Sequence, residues 1–96
     1  MQKIRLGRTE LTVSRVGFGA IPIQRLNDDD AIAVIRRCLE LGVTYLDTAN
    51  AYSTSEARMG TALKGWAQKV VISTKTQSRT ADGVAAHLQP VGRFLR

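Results

Sequence analysis

Three side chains in this 96-residue sequence could cooperate in proton transfer: Asp47, Tyr52 and Lys75. A free phenol has a pKa near about 10, too high for an efficient proton donor at neutral pH. An ammonium beside it stabilises the phenolate and lowers that value. A carboxylate beside the ammonium keeps it charged and oriented. In that company Tyr52 becomes a general acid able to protonate a carbonyl oxygen while hydride arrives at the carbon. The same residue types also make ordinary structural ion pairs, and spacing alone leaves both readings open. The strand pattern brings them together. A charge that finishes an apolar strand is costly unless paired, and Asp47 and Lys75 each finish one.

The other candidates carry less. Gly17 and Gly19 flank Phe18 like the start of a dinucleotide-binding glycine motif, but the third glycine position holds Pro22 and no helix opens after Gly19. Cys38 is the only cysteine. It excludes an intrachain disulfide, fits a reducing cytoplasm and sits at helical spacing among apolar residues, as a buried structural thiol does. The net charge of +6 is spread over Arg5, Arg8, Arg15, Arg25, Arg36, Arg58 and Arg79. The longest basic run is Arg36–Arg37, with no aromatic platform beside it, so no nucleic-acid partner is expected. No apolar stretch approaches the length of a membrane span, and no metal is assigned.

The positioning elements follow from periodicity. Lys3–Leu6 and Leu11–Val16 alternate polar and apolar around Gly7–Glu10, which predicts a β-hairpin with one buried face. Val16–Ile21 reads as a strand ending near Pro22. Asn27–Asp30 opens a helix with acidic residues at its positive end. Ala31, Ile35, Cys38 and Leu39 form its inner stripe, and Gly42 stops it. Val43–Asp47 is a strand. The spacing from Ser53 to Glu56 matches a capping box for a second helix, with Met59, Ala62 and Leu63 inward and a stop at Gly65. Lys69–Lys75 is a near-continuous apolar strand of the kind covered on both faces. A third helix is expected from about Thr80, with Val84, Ala85 and Leu88 on its inner side, His87 facing solvent and Pro90 ending it. Hairpin, then βα three times, argues for a parallel sheet. Strand ends then face one mouth, where barrel active sites are built.

The run Leu41–Glu56 (LGVTYLDTANAYSTSE) resembles the aldo-keto reductase signature, in which an Asp-Thr-Ala segment precedes a tyrosine and then a Ser-Glu pair. Leu6–Ser14 (LGRTELTVS) with Gly17–Gly19 resembles the family's opening hairpin and first strand. Val70–Lys75 (VVISTK) resembles the strand carrying its active-site lysine. The likeness runs from about Lys3 to Ala86. It implies an α/β fold, part of a (β/α)8 TIM barrel, and NADPH-dependent reduction of an aldehyde or ketone without a Rossmann domain. Tyr52 resembles the proton donor, and Asp47 and Lys75 its supporting pair. Gly19 and Ala20 end the first strand where nicotinamide and a small carbonyl substrate should meet, with Asp47 beside them.

The resemblance also says what is missing. The family's catalytic histidine ends the next strand, whereas His87 lies in the helix before it. Residues about 89–96 depart from the family pattern, and most loops that set substrate choice lie in later segments. Complete barrels of this type run to about 250 residues, so residues 1–96 are expected to be an N-terminal fragment of the reductase domain, inactive alone. Its outer strands would expose edges, which predicts a marginal monomer that associates through them. A non-catalytic interaction module using those edges is the alternative reading.

Overall fold

The computed structural model describes residues 1–94, with side chains placed through Gln89. The hairpin pairs β1 (Lys3–Arg5) with β2 (Thr12–Ser14) in antiparallel register, Ile4 opposite Val13. Gly7 supplies the left-handed residue of its turn at φ 57°. The expected buried face exists on β2 alone. Val13 and Ser14 are buried, but all of β1 is exposed, Ile4 included. The reason is that β2 and not β1 lies against the body of the chain. Ser14 and Thr44 exchange bonds there, each backbone amide donating to the other's hydroxyl at 2.7 and 2.8 Å.

A second, parallel sheet has the order β3–β4–β5, formed by Phe18–Gly19, Tyr45–Asp47 and Val71–Ser73. The first strand is shorter than the alternation suggests. Ala20 already has helical backbone angles, and Pro22 starts a 3-10 turn over Ile21–Arg25. Packing is tight at Gly17: a Cβ there would sit 3.0 Å from Tyr45 Cδ1, so the ring would have to give by a few tenths of an ångström. The third strand is also shorter than the run Lys69–Lys75 suggests: β5 spans Val71–Ser73, is half-buried throughout instead of covered on both faces, and among the described residues pairs only with β4.

Helix α1 (Asp28–Glu40) begins as its sequence dictates, with Asn27 Oδ1 accepting from the Asp30 amide at 2.8 Å. It ends in a Schellman motif: the Gly42 amide donates to Leu39 O and the Val43 amide to Cys38 O, with Gly42 at φ 94°. Ala31, Ile35 and Leu39 are buried, and Cys38 is half-buried at the edge of the same stripe. Helix α2 (Ser55–Leu63) buries Met59 and Ala62 and leads to Gly65 at φ 79°. These residues pack with Ala20, Ile23, Val43 and Leu46 into one core between the sheet and the two helices.

Three expectations need correction. The capping box from Ser53 to Glu56 does not form. Ser53 has a left-handed backbone at φ 54°, Thr54 is the N-cap without a side-chain bond, and Glu56 turns to Thr74 instead. Helix α3 (Ala81–Phe94) does not stop at Pro90. Proline removes its own amide and crowds the preceding turn, at about 3 kcal/mol, but the residues after it keep their amides and the helix resumes. Its inner face is also rotated: Gly83, Val84 and His87 are half-buried while Ala85 and Leu88 are exposed. His87 is bound to Thr76, which turns that face inward. Residues 95–96 of the tail expected to depart from the family pattern lie outside the described residues. No helix among those described is long and apolar enough to cross a membrane.

Arg58 joins α2 to the segment after β3. Its guanidinium donates to Asp28 Oδ1 at 2.8 Å, Ile23 O at 2.9 Å and Leu26 O at 2.7 Å. The side chain is 11% exposed, so its removal leaves the Leu26 carbonyl without this donor and the Ile23 carbonyl with the Leu26 amide alone. Arg58→Ala is therefore expected to lower unfolding free energy by about 2 kcal/mol in a denaturant titration. Arg58→Lys should recover only part, since an ammonium cannot span the three acceptors in the plane of a guanidinium. Burial pushes the Cys38 thiol above its ordinary value of 9.0. Folding thus favours the protonated thiol, and as pH rises past 9.0 the unfolded chain releases its proton first and stability falls. Alkylation of Cys38 by iodoacetamide at pH about 8 is expected to be slower in the native than in the denatured chain.

Candidate active site

Parallel register places Gly19, Asp47 and Ser73 in one row across the carboxyl ends of β3, β4 and β5. The ladder continues past the strands. The Ala20 amide donates to Asp47 O at 3.0 Å, the Thr48 amide to Ser73 O at 2.8 Å and the Asn50 amide to Lys75 O at 2.9 Å. Lys75 is thereby carried two residues beyond the row while staying beside β4. Its Nζ donates to both carboxylate oxygens of Asp47, each at 2.9 Å, and to Thr48 O at 2.6 Å. The ammonium's three protons have three acceptors.

Tyr52 arrives by a different route. Its amide donates to Ala49 O at 3.0 Å and its carbonyl accepts from the Ser55 amide at 2.9 Å, so the loop between β4 and α2 coils back over the strand ends. The left-handed Ser53 makes the reversal. The half-buried Tyr52 ring then lies with its centroid 5.5 Å from Lys75 Nζ, within range of a cation–π contact. The fold therefore gathers Asp47, Tyr52 and Lys75 into one cluster.

Gly19 and Ala20 behave differently from each other. Gly19 is exposed at the end of β3, and a Cβ built there would meet nothing within 4 Å, so the space beside the strand end is open. Ala20 is fully buried with its amide engaged by Asp47 O. His87 is not the solvent-facing residue expected. It is half-buried, with Nδ1 hydrogen-bonded to Thr76 Oγ1 one residue after Lys75. A cavity of about 570 Å³ lies away from this cluster, under the hairpin, lined by residues including Lys3, Thr12, Thr44 and Lys69. It contains none of the three clustered residues, and the polar chemistry stays at the strand ends.

Sequence reasoning missed the third acceptor of Lys75, the Thr48 carbonyl, for which no side-chain signal exists. It also missed the roles of Thr48, Ser55, Glu56 and Thr74, which bond to one another across α2 and the sheet.

The sequence model of the Aldo/keto reductase family matches residues 15–91. The chain belongs to that family. Among its relatives, the uncharacterised oxidoreductase YqkF of Bacillus subtilis is 32% identical over 85 residues, covering 86% of this chain and 28% of YqkF. The L-galactose dehydrogenase of Arabidopsis thaliana is 42% identical over 65 residues, 62% of this chain and 20% of that enzyme. In structure, the holo form of an aldo-keto reductase from Bacillus halodurans superposes with a TM-score of 0.78 at 31% identity, over 96% of this chain and 37% of its own. A putative aldo-keto reductase from Pseudomonas aeruginosa gives a TM-score of 0.82 at 27% identity, over 97% of this chain and 41% of its own. The aldo-keto reductase chain thus spans about a quarter of the length of these curated relatives. Its hairpin and βα units are a sector of a TIM barrel. Members of the family are oxidoreductases that generally use NAD(P)H.

The Asp47–Lys75 pair has side chains 35% and 48% exposed. At that exposure an ion pair contributes about 0–1 kcal/mol, too little to account for three acceptors converging on one lysine as a stabilising device. A double-mutant cycle of Asp47→Asn and Lys75→Met, followed by denaturant unfolding, is expected to give a coupling below about 1 kcal/mol. A much larger coupling would return the pair to a structural role.

Proposed function

We propose that this chain carries the proton-donating cluster of a reductase that converts an aldehyde or ketone to an alcohol with NADPH. The observation that carries the reading is the Lys75 ammonium, held by Asp47 and Thr48 and lying beside the Tyr52 ring. Tyr52 gives its phenolic proton to the carbonyl oxygen. Lys75 stabilises the negative charge left on the phenol oxygen, and Asp47 holds the ammonium in place. NADPH, when bound, supplies the hydride. Gly19 fits that partner, since its open backbone admits a flat ring next to Asp47; Ala20 closes the floor beneath. A small carbonyl compound is the substrate class.

The family's histidine has no counterpart in this cluster, since His87 is engaged with Thr76. On this reading residues 1–96 by themselves do not turn over substrate, and the activity belongs to the completed barrel. The lone Cys38 suits a reducing cytoplasm. A second reading draws on the strand edges. Among the described residues β3 and β5 are each paired on one side, and such edges favour association with another strand.

Oxidation of NADPH by a small aldehyde, followed in the barrel that contains this cluster, is expected to fall by roughly 10²–10⁴-fold in Tyr52→Phe. Full activity in that variant would reject Tyr52 as the acid. Concentration-dependent assembly of the 96-residue chain with no NADPH binding would favour the second reading.

A further inference from the structure

The two residues that open α2 reach back to the two strands that carry the cluster. Thr48 Oγ1 donates to Ser55 Oγ at 2.7 Å, and Thr74 Oγ1 donates to Glu56 Oε2 at 2.7 Å. Thr48 directly follows Asp47, and Thr74 directly precedes Lys75. Ser55, Glu56 and Thr48 are all buried. Hydroxyls and a carboxylate in that position are costly unless bonded, yet none of them serves the usual purpose of polar residues at a helix start. The N-cap makes no side-chain bond. Ser55 and Glu56 are turned toward the strands, not toward the helix's own free amides.

The bonds connect the two groups that must meet. Lys75 Nζ donates to Thr48 O, Thr48 Oγ1 to Ser55 Oγ, and the Ser55 amide to Tyr52 O. That path ties the ammonium to the phenol-bearing residue without passing through Asp47. Thr74 and Glu56 add a second tie, holding the residue before Lys75 against the same helical turn. Met59 and Ala62 pack α2 on the core, but apolar contact is non-directional and does not by itself set where the helix start lies along the strands.

We infer that Ser55 and Glu56 are positioning residues: through Thr48 and Thr74 they set the placement of Tyr52 over Lys75. The inference rests on the reading of Asp47, Tyr52 and Lys75 as one site, but the geometry it describes is present with or without turnover.

The test is the NMR shift of the Lys75 ε-methylene protons in the intact, lysine-labelled chain. The Tyr52 ring, 5.5 Å from Nζ, displaces that signal, and Tyr52→Leu should abolish the displacement and so identify it. Thr48→Val and Thr74→Val delete the donor hydroxyls and are expected to lose most of the displacement. Thr48→Ser and Thr74→Ser restore the donors and should recover it, which a general loss of packing would not do. Glu56→Gln keeps an acceptor and should retain it. Where a valine variant loses its dispersed amide spectrum, Ser55→Ala removes one acceptor with a smaller change in volume and is expected to reduce the displacement. An undiminished displacement in folded Thr→Val and Ser55→Ala variants overturns the inference, as does a Lys75 signal that Tyr52→Leu leaves unmoved. These outcomes are read without turnover, so they are separable from the effect of Tyr52→Phe on NADPH oxidation.

Discussion

A lysine two residues past the end of β5 has to find its acceptors on β4, and parallel pairing is what supplies them. In parallel register Asp47 lies opposite Ser73, and the ladder extends through Thr48 and Asn50 to Lys75. That alignment delivers the Asp47 carboxylate and the Thr48 carbonyl to one ammonium. Slipping the pairing by one residue would turn Asp47 to the helix side of the sheet and Leu46 to the open side. The core, the loop carrying Tyr52 and the start of α2 are all arranged around that register.

Stability and the proposed chemistry are located in different parts of the chain. The buried residues between the sheet and the helices, Ile35, Leu46 and Met59 foremost, supply the non-directional contribution. Arg58 closes the segment after β3 with bonds that are largely shielded from water. The Asp47–Lys75 pair, by contrast, is partly exposed. Charges in that setting hold their geometry at little gain in folding free energy, the arrangement expected where an ion pair has to act on a third group instead of holding the fold together.

Local signals were legible wherever the partner lay a few residues away. Asn27 caps α1 through Asp30, and Gly42 ends it with a left-handed residue, both contained within one turn of chain. Local spacing misled at Glu56, because Thr74 offered a bond from eighteen residues away and α2 took that instead of a capping box. It misled again at β1, whose alternation suggested a buried face that only β2 received. Pro90 marked a cost to α3 and not its end. His87 looked solvent-facing because its partner, Thr76, lies in a loop with no helical periodicity.

Residue types and short spacings, which the chain carries in one dimension, were enough for the order of elements, for Asp47 as the last residue of β4, and for a resemblance that names the family. Lys75, read as the end of β5, lies two residues beyond it. Tertiary structure alone decided that Lys75 has the Thr48 carbonyl as well as Asp47, and that Tyr52 lies over that ammonium. It alone turned Ser55 and Glu56 toward the strands. The physical reason is that a hydrogen bond is short and directional. Which of many equivalent hydroxyls and carbonyls it joins is settled only when the sheet register and the helix packing bring two of them within its reach.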